Sequence, residues 1–158
     1  MGRRVRDKRL AVWMNGDLTG WWSISRQGMH EFRYAESWIE SSYRRPVSLS
    51  MPLQPASEVY KGAVVEFFFE NLLPNNMDIR RRIQYRFRTA GTRAFDLLEE
   101  IGRDCVGAVQ LLPPDTSPSS VNTIAGRPLS EAEVADELRL TRSPQLSRHG
   151  DAEFRISL

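Results

Sequence analysis

Residues 94–113, AFDLLEEIGRDCVGAVQLLP, hold a helical pattern and an extended pattern separated by a glycine. Phe95, Leu98 and Ile101 recur at helical spacing with Leu97 widening the stripe, and Gly102 stands where a left-handed C-terminal cap belongs. A polar turn through Arg103 and Asp104 leads to a strand in which Val106, Ala108 and Gln110 alternate with Gly107, Val109 and Leu111. Pro113 and Pro114 close it, because proline has no N–H to give a sheet. The rest of the chain reads as layers laid against this unit.

Residues 9–15 and 18–25 predict a hairpin about Asn15-Gly16, the dipeptide that most readily takes the positive φ angles of a type I′ turn. Turn chemistry favours a two-residue loop that pairs Trp13 with Leu18. The apolar pattern favours a longer loop that pairs Met14 with Leu18, Val12 with Gly20 and Leu10 with Trp22, and both registers stay open. Residues 29–34 alternate as a third strand, and residues 36–42 make a short helix carrying Trp38 and Ile39 that Pro46 ends. Val47, Leu49 and Met51 alternate with Ser48 and Ser50, which predicts a fourth, half-buried strand. Trp13 or Trp22, Phe32 and Leu49 would fill the inner face.

From Ala63 the period becomes helical. Val64, Phe67, Phe68, Asn71 and Leu72 form a stripe that Val65 and Phe69 widen, so this helix should be nearly buried up to Pro74. Asn75 or Asn76 caps the next helix, with Ile79, Ile83 and Phe87 on one face and Arg80, Arg81, Arg82, Arg86 and Arg88 on the rest. That arginine face is either solvated or a contact surface for an anionic partner. Residues 113–122 are rich in proline and serine without periodicity, as a linker is. Ser130 with Glu133 then makes a capping box and Leu129 with Val134 a hydrophobic staple, predicting a short helix from Glu131 to about Leu138. The expected fold is α+β: a small, largely antiparallel sheet or partial barrel packed with about three helices, followed by the linker and a short helix.

Composition adds bounds rather than chemistry. At 158 residues, 41% apolar and 27% charged, the chain has the make-up of one ordinary domain with an appendage, and no apolar run is long enough to cross a bilayer. The cytoplasm is the expected location. A net charge of +2 is weak evidence for nucleic acid, although only Lys8 and Lys61 among the 22 cationic residues are lysine. Cys105 has no second cysteine to pair with, and neither His30 nor His149 has a neighbour at metal-ligand spacing. Catalytic constellations and glycine-rich phosphate loops do not stand out.

Three stretches together resemble the N-terminal region of the HipA family, bacterial serine/threonine kinases that act as toxins of toxin-antitoxin pairs. They are AVWMNGDLTGWW, RRPVSLSMPL with the later FFFENLLPNN, and FDLLEEIGRDCVGAVQLLP. The terminal FRISL resembles the segment with which that family enters its nucleotide-binding loop. The resemblance implies a basic tail at 1–9, a HipA-type N-terminal α/β subdomain at 10–113, and a linker at 114–129. Residues 130–158 would then hold a bridging helix and the start of a kinase N-lobe. It also implies that Ser157 matches the serine whose autophosphorylation switches the family's kinases off.

Phosphoryl transfer needs a phosphate loop, a lysine, a catalytic aspartate and magnesium ligands, none of which the resemblance carries onto this chain. ATP and Mg²⁺ are therefore expected only in a complete family member, and the chain on its own is expected not to be an enzyme. The leading expectation is a separated N-terminal portion of a HipA-type kinase, by truncation or gene splitting, acting through protein interaction. Its expected partners are a HipA-type kinase core or a HipB-like antitoxin, with DNA reached indirectly through the antitoxin and no membrane. The alternatives are a stand-alone regulatory subunit that restrains a separate kinase, and a basic nucleic-acid-binding module built on Arg80 to Arg88.

Overall fold

The computed structural model describes residues 8–104, 108–118 and 127–142. Its centre is an open antiparallel sheet of five strands: β1 Lys8–Met14, β2 Asp17–Ile24, β3 His30–Tyr34, β4 Tyr60–Lys61 and β5 Val109–Leu112. They lie in the order β4-β3-β2-β1-β5. The sheet does not close into a barrel. Helices α1 Glu36–Glu40, α2 Ala63–Glu70, α3 Met77–Phe87 and α4 Ala94–Ile101 complete this unit.

The hairpin takes its tip from the shorter-loop register and its body from the longer one, so the expected Met14–Leu18 pair does not form. Asn15 (φ 52°) and Gly16 (φ 89°) make the tight turn, so Trp13 pairs with Leu18 and Met14 with Asp17. One residue later the register shifts, and Val12 pairs with Gly20 and Leu10 with Trp22. The extra residue is Thr19, fully buried, whose carbonyl accepts the Ala35 N–H at 2.9 Å. A bulge at Thr19 thus lets turn chemistry set the tip while the apolar pattern sets the body. Strand β1 begins at Lys8, inside the expected basic tail.

Leu10, Val12 and Met14 of β1, Trp22 of β2 and Phe32 and Tyr34 of β3 share the buried core with Phe69 of α2 and Phe95 of α4. The Trp22 and Phe69 rings stack with centroids 3.9 Å apart and planes 7° from parallel, and Phe95 leans on Trp22 at 4.8 Å. This stack sets the rotation of α2. Val65 and Phe69 are fully buried, whereas Phe67, expected in the buried stripe, is 63% exposed and Val64, Phe68 and Leu72 are only partly buried.

Two further expectations are corrected. Residues 47–51 do not add a strand: the Met51 N–H bonds the Ser48 carbonyl at 3.0 Å, and the Ser48 hydroxyl accepts the Ser50 N–H at 3.2 Å. This local serine turn breaks the alternation, so Met51 is buried while Leu49 is 96% exposed and fills no core. The fourth strand is Tyr60–Lys61 instead. Gly102 is not left-handed; its φ is −65° and the chain runs on into a 3₁₀ turn over Gly102–Asp104. Glycine is needed there for space, since a Cβ would meet the Leu111 Cβ at 2.6 Å.

Helix α5, Glu131–Arg142, belongs to a separate unit and runs further than the expected Leu138. Its capping box is formed: Glu133 Oε2 accepts the Ser130 N–H at 2.8 Å, and the Ser130 hydroxyl accepts the Glu133 N–H at 3.4 Å. Arg127 at 2.7 Å, with the Ser130 N–H and the Ser130 hydroxyl donating to Oε2 at 2.8 Å each, holds the pKa of the Glu133 carboxyl down to about 2. Cys105, Val106, Gly107, His149 and the terminal FRISL lie outside the described residues.

Gly20 tests the packing of the sheet. A Cβ there would lie 2.3 Å from the Arg33 carbonyl oxygen and 2.9 Å from the Phe32 ring. Gly20→Ala is expected to lower unfolding stability by roughly 2–3 kcal/mol in urea titration, because backbone rather than a flexible side chain must yield.

Candidate interaction surface

Helix α3 carries the arginines singled out in the sequence. Asn76 caps it, its side-chain oxygen accepting the Asp78 N–H at 2.8 Å and the Ile79 N–H at 3.4 Å. Ile83 is buried and Phe87 partly so, but Ile79 is exposed, so the inward stripe runs through 80, 83 and 87 rather than 79, 83 and 87.

Arg80 is therefore not part of an anionic contact surface. It is 7% exposed and its guanidinium meets Glu70 Oε2 at 2.6 Å, with Nε donating to the Pro74 carbonyl at 2.7 Å. Glu70 Oε1 accepts the Ala94 N–H at 3.1 Å, at the first turn of α4. The arginine fork satisfies the Glu70 carboxylate and the Pro74 carbonyl in the turn between α2 and α3, which draws the side chain inward against the charge pattern.

Arg81, Arg82, Arg86 and Arg88 are exposed. Arg81 pairs with Asp78 at 3.3 Å, and Arg86 lies 5.7 Å from the Phe87 ring centroid. Arg88 ends the helix in the left-handed region at φ 54°. Ser157, the autophosphorylation-like position, lies outside the described residues. Among the described residues no cluster of His, Cys, Asp or Glu could hold a metal ion, and no helix is long and apolar enough to cross a membrane. His30 accepts the Trp22 indole N–H on Nδ1 at 3.3 Å.

Sequence reasoning missed the loop at 45–52, which has no regular structure but is fastened by three aromatic side chains. The Tyr34 hydroxyl donates to the Met51 carbonyl and accepts the Val47 N–H at 3.1 Å. Trp38 Nε1 donates to the Arg45 carbonyl at 3.0 Å, and the Tyr60 hydroxyl to the Pro52 carbonyl at 2.7 Å. Leu49 therefore projects from a backbone that is held in place. Its side chain is 96% exposed although the backbone on either side is tied to the domain. The signal in the sequence is the alternation of serines with apolar residues, which reads equally well as a strand.

An open antiparallel sheet with its helices packed on the Trp22 face, and a fastened loop bearing an exposed leucine, define an α+β domain. The family model described as the HipA N-terminal domain matches residues 10–112, and the chain belongs to that family. The "Putative kinase Y4mE" of Sinorhizobium fredii (strain NBRC 101917 / NGR234) is 31% identical over 153 residues, which are 94% of this chain and 35% of that protein. A chain of the Shewanella oneidensis MR-1 toxin-antitoxin complex of HipA, HipB and operator DNA shares the fold. Its TM-score is 0.60 at 22% identity, over 82% of this chain and 29% of that one. This chain thus spans about a third of the length of each.

Two outcomes follow for stability. Arg80→Met should cost about 3 kcal/mol by stranding Glu70 and the Pro74 carbonyl, whereas Arg81→Met should stay within about 0.5 kcal/mol, both read from urea unfolding. Tyr34→Phe should cost about 1–2 kcal/mol at neutral pH by releasing the loop. Burial pushes the Tyr34 hydroxyl from 10.0 up to about 12 in the folded chain. Between those pH values the unfolded chain loses the proton first, so wild type loses stability that the Phe variant does not have. The gap between the two should narrow as pH rises through that window, as measured by unfolding at each pH.

Proposed function

We propose that the chain is the N-terminal interaction subdomain of a HipA-type serine/threonine kinase toxin of a toxin-antitoxin module, docking on a kinase core without carrying phosphoryl transfer itself. The observation that carries this reading is the family match over residues 10–112 in a chain that spans 35% of a relative named as a kinase. The remaining length of such a relative is the natural place for ATP and magnesium chemistry. Leu49 on its fastened loop and Phe67 on α2 supply the apolar contacts. A HipB-like antitoxin is the further partner, by analogy with the Shewanella complex, and DNA is reached through it. On the same reading Ser157 is the position an active kinase core would phosphorylate. Solution in the cytoplasm fits such a role.

The test mixes the purified chain with the kinase portion of a HipA-type relative lacking its own N-terminal domain. Capture is expected, and Leu49→Asp should weaken it about tenfold while leaving thermal unfolding unchanged. The chain alone should transfer no phosphate from labelled ATP with magnesium. Turnover by the chain alone, or capture untouched in both Leu49→Asp and Phe67→Asp, overturns the reading. Inhibition of a kinase that already has its own N-terminal domain would instead mark the chain as a stand-alone regulatory subunit.

A further inference from the structure

The face of the sheet opposite the Trp22 core has its own chemistry. In the register of the strands, Arg9 lies opposite Ser23 and Trp21 opposite Arg33, so the side chains of three adjacent strands converge there. They line a cleft of about 430 Å³ together with Ser25 and Val59. The Arg9 guanidinium lies 3.9 Å from the Trp21 ring centroid. Stacking covers the flat face of a guanidinium and leaves its in-plane N–H groups free to bond a ligand.

The charge in this cleft is unbalanced. Burial, and then the like charge of Arg33, lower the affinity of Arg9 for its proton, so the fold brings two cations together at a cost. Among the described residues neither has a carboxylate partner. The acid in the lining, Glu31, is drawn to Lys61 at 3.6 Å. The hydroxyls of Ser23 and Ser25 add neutral donors, with Ser25 Oγ accepting the Met29 N–H at 3.1 Å and keeping its own hydrogen to give. Two arginine forks with hydroxyls in between suit a group that is doubly charged and accepts in several directions, which a phosphoryl group does better than a single carboxylate. Val59 adds an apolar wall for whatever the phosphoryl is attached to.

We propose that Arg9, Trp21 and Arg33 form a phosphoryl-binding cleft on the outer face of the sheet, independent of the Leu49 docking loop. Its ligand is a phosphorylated small molecule or a phosphorylated side chain of a partner.

The experiment follows the Trp21 indole N–H in ¹⁵N-edited NMR of the full chain, assigned with Trp21→Phe. The probes are inorganic phosphate, a phosphoserine peptide, the same peptide unphosphorylated, and duplex DNA, with chloride at matched ionic strength as the control. Saturable shifts with phosphate and phosphopeptide are expected, weakened about tenfold in both Arg9→Gln and Arg33→Gln. Tighter binding of the phosphopeptide names a partner's side chain as the source, and equal binding a free phosphorylated ligand. The proposal is overturned if phosphate and phosphopeptide give no saturable shift, if chloride reproduces it, if it survives in Arg33→Gln, or if only DNA produces it. Unchanged thermal unfolding of Arg33→Gln separates loss of the site from loss of the fold.

Discussion

The fold depends on two neighbouring residues of one short helix. Phe69 stacks flat on Trp22 and so fixes α2 to the middle of the sheet, an aromatic contact worth about 1 kcal/mol beyond the area it buries. Glu70, the next residue, takes Arg80 of α3 on one oxygen and the first N–H of α4 on the other. Helices too short to be stable alone are thereby tied to one another and to the sheet. The rotation that buries Phe69 also turns Phe67 outward. The exposed apolar side chain is thus a consequence of core packing.

Much of this was legible in the sequence where local chemistry decides the outcome. Asn15-Gly16 marked the turn, Asn75-Asn76 the start of α3 with Asn76 as the cap, and Ser130 with Glu133 the start of α5, each because a side chain or a positive φ is required within a few residues. The alternation of β3 also survived. The residues that misled are those whose roles are set by distant partners. Arg80 looks like one of five surface arginines until Glu70, ten residues away, is placed beside it. Leu49 looks like a core residue until Tyr34, Trp38 and Tyr60 are seen fastening its loop. Strand β4 is two residues long and shows no pattern at all, and Gly102 is explained by Leu111 across the fold rather than by the helix it ends. The HipA resemblance was carried by order and combination of motifs, which is why it held although several of its local elements were misread.

The two surfaces follow different physical logics. The Leu49 loop offers apolar area on a backbone already held in place, so a partner that covers it pays little in ordering. The outer cleft offers charge instead: two arginines brought together by strand register, one of them stacked on an indole, which an anion relieves. The two lie on different elements, so one domain has room for both a protein contact and an anionic ligand.

In the proposed function the fastened loop is where this domain meets a kinase core. Amide hydrogen exchange, measured on the chain alone and with the kinase portion of a HipA-type relative, tests it most directly. Exchange is expected to slow around residues 45–52 in the complex. Unchanged exchange in that loop, with protection confined to other elements, would contradict it.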